Sequence, residues 1–279
     1  MAVGFSGDVA EYYAKFRRGY PPQVLDALQD AFGLGGGDTV LDLGCGTGQL
    51  ALPLASRVGS VIGMDPEPDM LRLARDAAAR QGIRNATWVL GADSDVPAFG
   101  ALVGDGTLGM AVVGQALHWM RYEELFRALV PLLRPGGGIA VVANGTPLWL
   151  QDSDWSRALR GCLEEYFGTE LKASCGTAHN DRVRYARALE VAGYEGVREI
   201  MTEYRDELSL DQIVGGVFSA IPAGELPTPG ERPAFAERVR RALPDQRSFV
   251  EEVKVSALVG HAGRFHGIGR TVSPAAPAT

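Results

Sequence analysis

A glycine-rich loop and an aspartate, each placed at the end of an apolar run, are the residues of this sequence best suited to bind a ligand. The run TVLDL (39–43) leads into GCGTG (44–48), and the run SVIGMD (60–65) ends at Asp65, 21 positions after Gly44. Glycines let the backbone approach a ligand closely, and a helix N-terminus favours a polar or anionic group. A carboxylate at the next strand end can accept hydrogen bonds from both hydroxyls of a ribose. The pair predicts a ribose-containing ligand; a tight turn that binds nothing is the alternative.

The order of residues around the loop distinguishes between two classes of ribose-containing ligand. A dinucleotide loop has the pattern G-x-G-x-x-G, in which the third glycine allows close helix–strand packing. Here that position is Gln49, and the glycines are Gly44, Gly46 and Gly48. Asp42, just before the loop, repels a pyrophosphate but suits the ammonium of a methionine moiety. The residues therefore favour S-adenosylmethionine over a nicotinamide dinucleotide.

A histidine follows another apolar run, VVGQALHWM (112–120), which ends with His118 beside Trp119. The side chain of histidine titrates near neutral pH, so His118 is the candidate general base. The alternative is a positioning residue that hydrogen-bonds to backbone, with Trp119 in the core. The same run carries Gln115 toward the edge where the strand ends. Cys175 and His179 form a weak C-x-x-x-H pattern that does not match zinc spacing, so no metal site is expected.

Apolar runs and amphipathic segments alternate along the chain, which predicts the elements that position these residues. Strands are expected at 39–43, 60–65, 87–90, 109–114, 139–143, 196–206 and 248–260; helices at 21–32, 49–59, 66–82, 121–133 (broken by Pro131), 152–168, 180–193, 209–221 and 231–243. The early strands lack polar alternation, as expected of a parallel sheet covered on both faces. The predicted fold is α/β: a Rossmann-like, seven-stranded, mostly parallel sheet with helices on both faces and helical insertions in the C-terminal half. Ligands of such sheets bind outside the carboxyl ends of the strands.

Composition and charge restrict the function classes. The chain has 279 residues and a formal net charge of -7, which gives no basic surface for nucleic acid or an anionic membrane. No apolar stretch is long enough to span a bilayer, and the N-terminus has no signal-peptide pattern. Three cysteines without C-x-x-C indicate a reducing compartment. We expect a cytoplasmic protein, monomeric or homodimeric, with a small-molecule partner and neither nucleic acid nor membrane.

The segments VLDLGCGTG, GMDPEPDMLRLAR and LLRPGGGIAVV, in this order, resemble the class I S-adenosylmethionine-dependent methyltransferases. EYYAKFRRGYP (11–21) and QALHW (115–119) are similar to the small-molecule branch that includes trans-aconitate methyltransferase and the methyltransferase type 11 group. The resemblance implies one methyltransferase domain over 1–271, with a cofactor-binding core at 11–146 and acceptor-covering helices and last strands at 147–260. Residues 272–279 are expected to form a disordered tail.

The resemblance also implies cofactor contacts, with S-adenosylmethionine as the cofactor and S-adenosylhomocysteine as its product. The backbone of Gly44, Cys45 and Gly46 would pass the methionine part near Asp42, and Asp65 would bind the ribose. The remaining implied contacts are Pro66 and Met70 on the adenine, Ala92, Asp93 and Ser94 near its amino group, Gln115 at the end of the fourth strand, and Tyr13 and Arg17 closing over the cofactor.

Three positions depart from the family pattern. The usual Gly-Asp-Ala-Glu after the third strand is Gly-Ala-Asp-Ser here, so Asp93 is expected to replace an acid one position earlier. Gly109 stands where the fourth strand commonly begins with an aspartate, and Arg18 replaces a proline of the N-terminal motif.

The acceptor is expected to meet His118, Trp119, Tyr12 and Trp149, although core packing is the default explanation of the last two. The predicted function is methyl transfer to a small-molecule metabolite or biosynthetic intermediate, with the acceptor atom (O, N or C) left open. A nicotinamide-dependent oxidoreductase and a non-catalytic S-adenosylmethionine-binding protein are the alternatives.

Overall fold

The strands of this protein form one seven-stranded sheet in a computed structural model that describes residues 4–172 and 175–263. The strands are β1 (Thr39–Leu43), β2 (Ser60–Asp65), β3 (Ala86–Leu90), β4 (Leu108–Gly114), β5 (Leu133–Asn144), β6 (Tyr194–Leu208) and β7 (Phe249–Ala262). Their order in the sheet is β3-β2-β1-β4-β5-β7-β6, with β7 antiparallel to both β5 and β6 and all other pairs parallel. The predicted α/β fold with a mostly parallel, seven-stranded sheet is confirmed.

The described part of the chain contains ten α-helices. They are α1 (Asp8–Phe16), α2 (Pro22–Phe32), α3 (Ala51–Ala55), α4 (Pro68–Gln81), α5 (Val96–Val103), α6 (Tyr122–Leu129), α7 (Asp154–Phe167), α8 (His179–Val191), α9 (Leu210–Phe218) and α10 (Arg232–Ala242). Gly33 and Gly82 end α2 and α4 in the left-handed conformation, as their positions in the sequence predict. Helix α6 ends at Leu129, before Pro131, and Val130–Leu132 form a single 3-10 turn.

The core lies on both faces of the sheet. Alternate residues of each central strand point to opposite faces, so Val40 and Met110 pack with α2 and α3, whereas Leu41 and Ala111 pack toward α6 and α8. A third apolar cluster, built on α7, α9, α10 and the start of β7, forms the C-terminal addition. The predicted tail at 272–279 lies outside the described residues. Within the described ranges, no helix is long and apolar enough to traverse a bilayer.

The structure differs from the sequence expectation at β5 and α5. The sequence predicts β5 from residue 139, but the strand begins at Leu133 and includes three glycines; a Cβ on Gly138 would lie 2.1 Å from the carbonyl oxygen of Gly260 on the neighbouring strand. Gly138 therefore permits close strand contact, whereas Gly136, with φ of 77°, lies where β5 shifts register against β4. Helix α5 was not predicted, since its apolar sequence VPAFGALV shows no clear helical stripe.

Gly109 is explained by an ion pair at the N-terminal edge of the sheet. Arg134 Nε donates to Asp38 Oδ1 at 2.5 Å, and its Nη2 donates to the carbonyls of Phe32 and Gly33 at the end of α2. A Cβ on Gly109 would lie 2.7 Å from the same Asp38 oxygen. An aspartate at position 109 would clash with this pair, so the departure from the family pattern has a local packing cause.

Gly109→Ala is expected to lower the free energy of unfolding by about 1–3 kcal/mol, because the added methyl group must displace the Asp38–Arg134 pair. Gly161→Ala is the matched control: it lies within α7, nothing lies within 4 Å of its built Cβ, and it should stabilise the helix by about 0.5–1 kcal/mol. Urea unfolding curves of the three proteins measure both changes. Equal stability of the two variants would contradict the packing explanation.

Candidate functional site

The glycine loop rests on the carboxyl end of β2. The amides of Gly44 and Cys45 both donate to the carbonyl oxygen of Met64, at 2.8 and 3.1 Å. Gly44 and Gly46 have φ values of 64° and 54°, a conformation that glycine adopts without strain. A Cβ on Gly44 would lie 2.5 Å from Cβ of Ala116, so the loop also requires glycine for its contact with the segment after β4.

Asp65 joins the loop to the start of α4. Its Oδ2 accepts from the amide of Gly46 at 2.8 Å, and its Oδ1 accepts from the amide of Glu67 at 2.9 Å. Each carboxylate oxygen has a further lone pair, so the group can still accept hydroxyl protons. The side chain is buried, and this desolvation raises the pKa of Asp65 above its usual value.

Asp42 is the most strongly perturbed carboxyl group of the site. It is only 1% exposed; its Oδ2 has no hydrogen-bond partner in the described part of the chain. Burial raises the pKa of Asp42 to about 8, against the opposing effect of a hydrogen bond from the amide of Ala51 at the start of α3. An unpartnered buried carboxylate is costly unless a cation or donor joins it. Its position suits a ligand ammonium beside the loop.

Helix α1 packs against the glycine loop. A Cβ on Gly46 would lie 3.5 Å from the ring of Tyr13, and the guanidinium of Arg17 lies 5.2 Å from the centre of that ring. Burial raises the pKa of the Tyr13 hydroxyl and, more strongly, that of Tyr20. The structure thus brings Tyr13 and Arg17 together with the loop.

The residues expected near the adenine lie at the ends of β2 and β3. Pro66 is exposed, whereas Met70 is buried against Ala10 of α1. Asp93 Oδ2 accepts from the amide of Arg121 at 2.8 Å, which ties the segment after β3 to the start of α6. Ala92 donates its amide to Asp95 at 2.9 Å, and Ser94 is exposed. The adenine contacts remain predictions.

The end of β4 is held in a strained conformation. Gln115 has φ of 57°, unusual for a residue other than glycine, and its side-chain amide donates to the carbonyl of Asn144 at 2.9 Å. Asn144 in turn donates to the carbonyl of Gly19 at 3.0 Å. Such strain clusters at functional sites. These bonds connect the ends of β4 and β5 to the segment that follows α1.

Arg18, which replaces the family proline, forms an ion pair with Glu251 of β7. Glu251 is 2% exposed and also accepts from Gln151 Nε2 at 2.5 Å. This pair connects the segment between α1 and α2 to the C-terminal half of the chain. The sequence gives no local sign of it, because Arg18 and Glu251 are 233 positions apart.

His118 lies in a 3-10 turn just beyond β4, at the predicted edge of the sheet. Burial lowers its pKa, with Asp181 opposing the shift, so the imidazole is neutral at physiological pH. Two neighbouring cavities share His118 in their walls. The larger is an open cleft of about 370 Å³; its lining includes Trp119, Tyr122 and Tyr185. Trp119 is 59% exposed, so it is not a core residue.

Tyr12 and Trp149 lie elsewhere. Tyr12 packs on Phe218 of α9, with ring centres 4.9 Å apart, and Trp149 packs on the C-terminal apolar cluster. Neither lines the two cavities that contain His118. Their contact with an acceptor stays a prediction, and their packing favours the core explanation. Among residues 4–172 and 175–263, no three His, Cys, Asp or Glu side chains are grouped to hold a metal ion.

Two residues near the site were not predicted: Tyr20 and Arg182. Tyr20 is partly buried against the core, its hydroxyl 2.6 Å from where a Cβ on Gly114 would lie. Arg182 shares one helical face with Tyr185 and Leu189, both buried. That spacing, three and seven residues, was the available signal that Arg182 points inward.

Comparison with known proteins agrees with this geometry. Residues 40–137 match the family model described as a methyltransferase domain. An uncharacterised methyltransferase of Mycobacterium tuberculosis is 33% identical over 144 residues, which are 52% of this chain and 53% of that protein. A 23S rRNA methyltransferase of Xylella fastidiosa is 46% identical over only 74 residues, 26% of this chain and 17% of that protein. This chain spans about half the length of the curated mycobacterial and fission-yeast relatives that it matches.

A solved structure supports the fold over most of the chain. A putative type II methyltransferase from Anaeromyxobacter dehalogenans superposes with a TM-score of 0.59 and 21% identity, covering 89% of this chain and 99% of that one. The family match begins within β1 and ends within β5, so it contains the glycine loop, Asp65 and His118. Residues 40–137, with the glycine loop, Asp65 and His118, are therefore similar in sequence to methyltransferase domains.

Proposed function

We propose that this protein is an S-adenosylmethionine-dependent methyltransferase that acts on a small-molecule acceptor. The observation that carries the proposal is Asp42, a buried carboxyl group whose Oδ2 has no partner in the described chain, beside a glycine loop tied to Asp65. A ligand with both a cationic amine and a ribose matches these two acids. A pyrophosphate would place negative charge against Asp42.

The residues present fit this cofactor. The backbone of Gly44, Cys45 and Gly46 would contact the methionine part, Asp42 would hold its ammonium, and Asp65 would accept the ribose hydroxyls. Arg17, exposed at the end of α1, would pair with its carboxylate. The cofactor supplies an electrophilic methyl group on a sulfonium. The protein's part is to align the acceptor and, where the acceptor carries a proton, to remove it.

The acceptor would enter the cleft beside His118. A volume of about 370 Å³ is in the range of small-molecule sites, and the aromatic walls from Trp119, Tyr122 and Tyr185 suit an organic molecule. Neutral His118, at the sheet edge, would take a proton from the acceptor. Asp181, which faces the imidazole, would stabilise the resulting imidazolium.

His118→Ala is expected to reduce turnover about 10²- to 10⁴-fold for an acceptor that must lose a proton, with little change in cofactor affinity. Because the neutral imidazole is the active form, wild-type activity should fall as pH drops through a midpoint below 6.5, the usual pKa of histidine. Initial rates from pH 5 to 8 measure both effects. His261→Ala, on the distant part of β7, is the control. Full turnover in His118→Ala would assign a positioning role instead.

Calorimetry with S-adenosylhomocysteine and with NADPH tests the cofactor, and transfer of a labelled methyl group to a panel of small molecules and to RNA tests the reaction. Binding of S-adenosylhomocysteine and labelling of a small molecule would support the proposal. Binding of NADPH alone would indicate an oxidoreductase, labelling of RNA alone would exclude the small-molecule acceptor, and binding with no labelling would favour a non-catalytic protein.

A further inference from the structure

Arg182 of α8 is a buried arginine, and two of its three guanidinium nitrogens have hydrogen-bond partners among the described residues. It is 7% exposed. Its Nε donates to Glu199 of β6 at 3.1 Å, its Nη2 donates to the carbonyl of Val141 at 3.1 Å, and Ser256 holds the same Glu199 oxygen. Nη1 is buried and has no partner among the described residues. Two fixed bonds orient the planar guanidinium, so the direction of Nη1 is fixed as well.

This arginine lines the smaller cavity behind His118. The cavity has a volume of about 10 Å³, enough for one atom of the size of a water oxygen. Its walls also include Gln115, His118 and Tyr185, and it shares His118 and Tyr185 with the larger cleft. A Cβ on Gly176 would lie 3.0 Å from the Tyr185 hydroxyl and 3.5 Å from Cβ of His118. Cys175 and Gly176 also line both cavities, so the two cavities are adjacent.

The charges around the cavity favour a neutral oxygen. Glu199 balances Arg182, and at the rim of the cleft Asp181 pairs with Arg184. These four groups carry no net charge, so they do not attract an anion. A buried N–H without a partner nevertheless costs about 1–3 kcal/mol, which a hydroxyl or carbonyl oxygen would relieve.

We propose that Arg182 is a specificity-determining residue of the acceptor site: Nη1 donates a hydrogen bond to a neutral hydroxyl or carbonyl oxygen of the acceptor, whose flat, aromatic body lies in the cleft between Trp119, Tyr122 and Tyr185. The proposal rests on the proposed methyltransferase function. It makes Arg182 an anchor for the acceptor and assigns it no proton transfer. A site built to bind such an oxygen discriminates strongly against analogues that lack it.

Phenol and toluene, which differ by a hydroxyl in place of a methyl group, test this anchor on protein saturated with S-adenosylhomocysteine. Ligand-observed NMR titrations would give both dissociation constants for the wild type, Arg182→Met and the matched control Arg187→Met, whose side chain is exposed on α8 and lines neither cavity. We expect the wild type and Arg187→Met to bind phenol at least about tenfold more tightly than toluene, and Arg182→Met to bind the two equally.

The wild-type ratio alone decides the proposal if Arg182→Met does not fold. Equal binding of phenol and toluene to the wild type, no binding of phenol, or an unchanged preference in Arg182→Met would each overturn the role of Arg182; a water molecule would then be the occupant of the cavity. Binding of S-adenosylhomocysteine is measured first, because its absence counts against the proposed function rather than against Arg182.

Discussion

Asp65→Ala is expected to weaken the binding of S-adenosylhomocysteine at least about tenfold. Each hydrogen bond from a ribose hydroxyl to a carboxylate is worth roughly 1.5–3 kcal/mol, and a loss of about 1.4 kcal/mol is already tenfold in affinity. Isothermal titration calorimetry at pH 7.5 measures the change. Asp76→Ala is the matched control, since Asp76 lies half-exposed on α4 and pairs with Arg72 at 3.6 Å, outside the site.

The variant also removes the acceptor of two backbone amides, that of Gly46 in the glycine loop and that of Glu67 at the start of α4. Asp65→Asn separates the two effects, because it keeps an oxygen for one of these amides while it removes the charge. We expect Asp65→Asn to bind more weakly than the wild type and more tightly than Asp65→Ala. Unchanged affinity in Asp65→Ala would rule out the ribose role, whatever the stability of the variant.

The binding of S-adenosylhomocysteine is expected to release a proton from Asp42. A pKa of about 8 leaves this carboxyl group mostly protonated at pH 7, whereas a ligand ammonium requires the ionised form. Affinity should therefore rise with pH, by up to about tenfold per pH unit between pH 6 and 8. The titratable groups that face Asp42 include Asp65, Cys45, Tyr13 and Tyr20, which are neutral or negative, so none of them supplies a compensating positive charge.

Calorimetry at pH 7 in two buffers of different ionisation enthalpy counts the protons released. We expect about one for the wild type and fewer for Asp42→Asn, and the variant should bind at least about tenfold more weakly at pH 8. The ligand's own amine titrates in the same range, and Asp42→Asn corrects for it because the ligand is unchanged. Equal proton release in both proteins would contradict the assignment of Asp42 to the ammonium.

The same shift predicts an opposite effect on stability. The pKa of Asp42 is higher in the folded than in the unfolded chain, so its contribution to stability is present below about pH 4 and is lost as pH rises toward about 8. Without ligand at pH 8, Asp42→Asn should consequently unfold at a higher temperature than the wild type. A residue that lowers stability and raises affinity is typical of a binding site.

The sequence by itself determined the strands, their common edge and the position of the glycine loop, because these depend on local patterns. Apolar runs broken by glycine define β1 and β2 within a residue, and the left-handed glycines Gly33 and Gly82 mark two helix ends. Since parallel strands end at one edge, the spacing along the chain also placed Asp65 and His118 on that edge.

Only the tertiary structure decided burial, ionisation and long-range pairing. The pKa of Asp42 depends on how completely α1, α3 and the glycine loop exclude water from it, and no local pattern encodes that exclusion. Glycine is required at position 109 because residues 38 and 134 form an ion pair beside it. Arg182 of α8 donates hydrogen bonds to Glu199 of β6 and to Val141 of β5. Desolvation and pairing arise from groups distant in sequence that folding brings together, so the chemistry of the site follows from packing, whereas its location follows from the sequence.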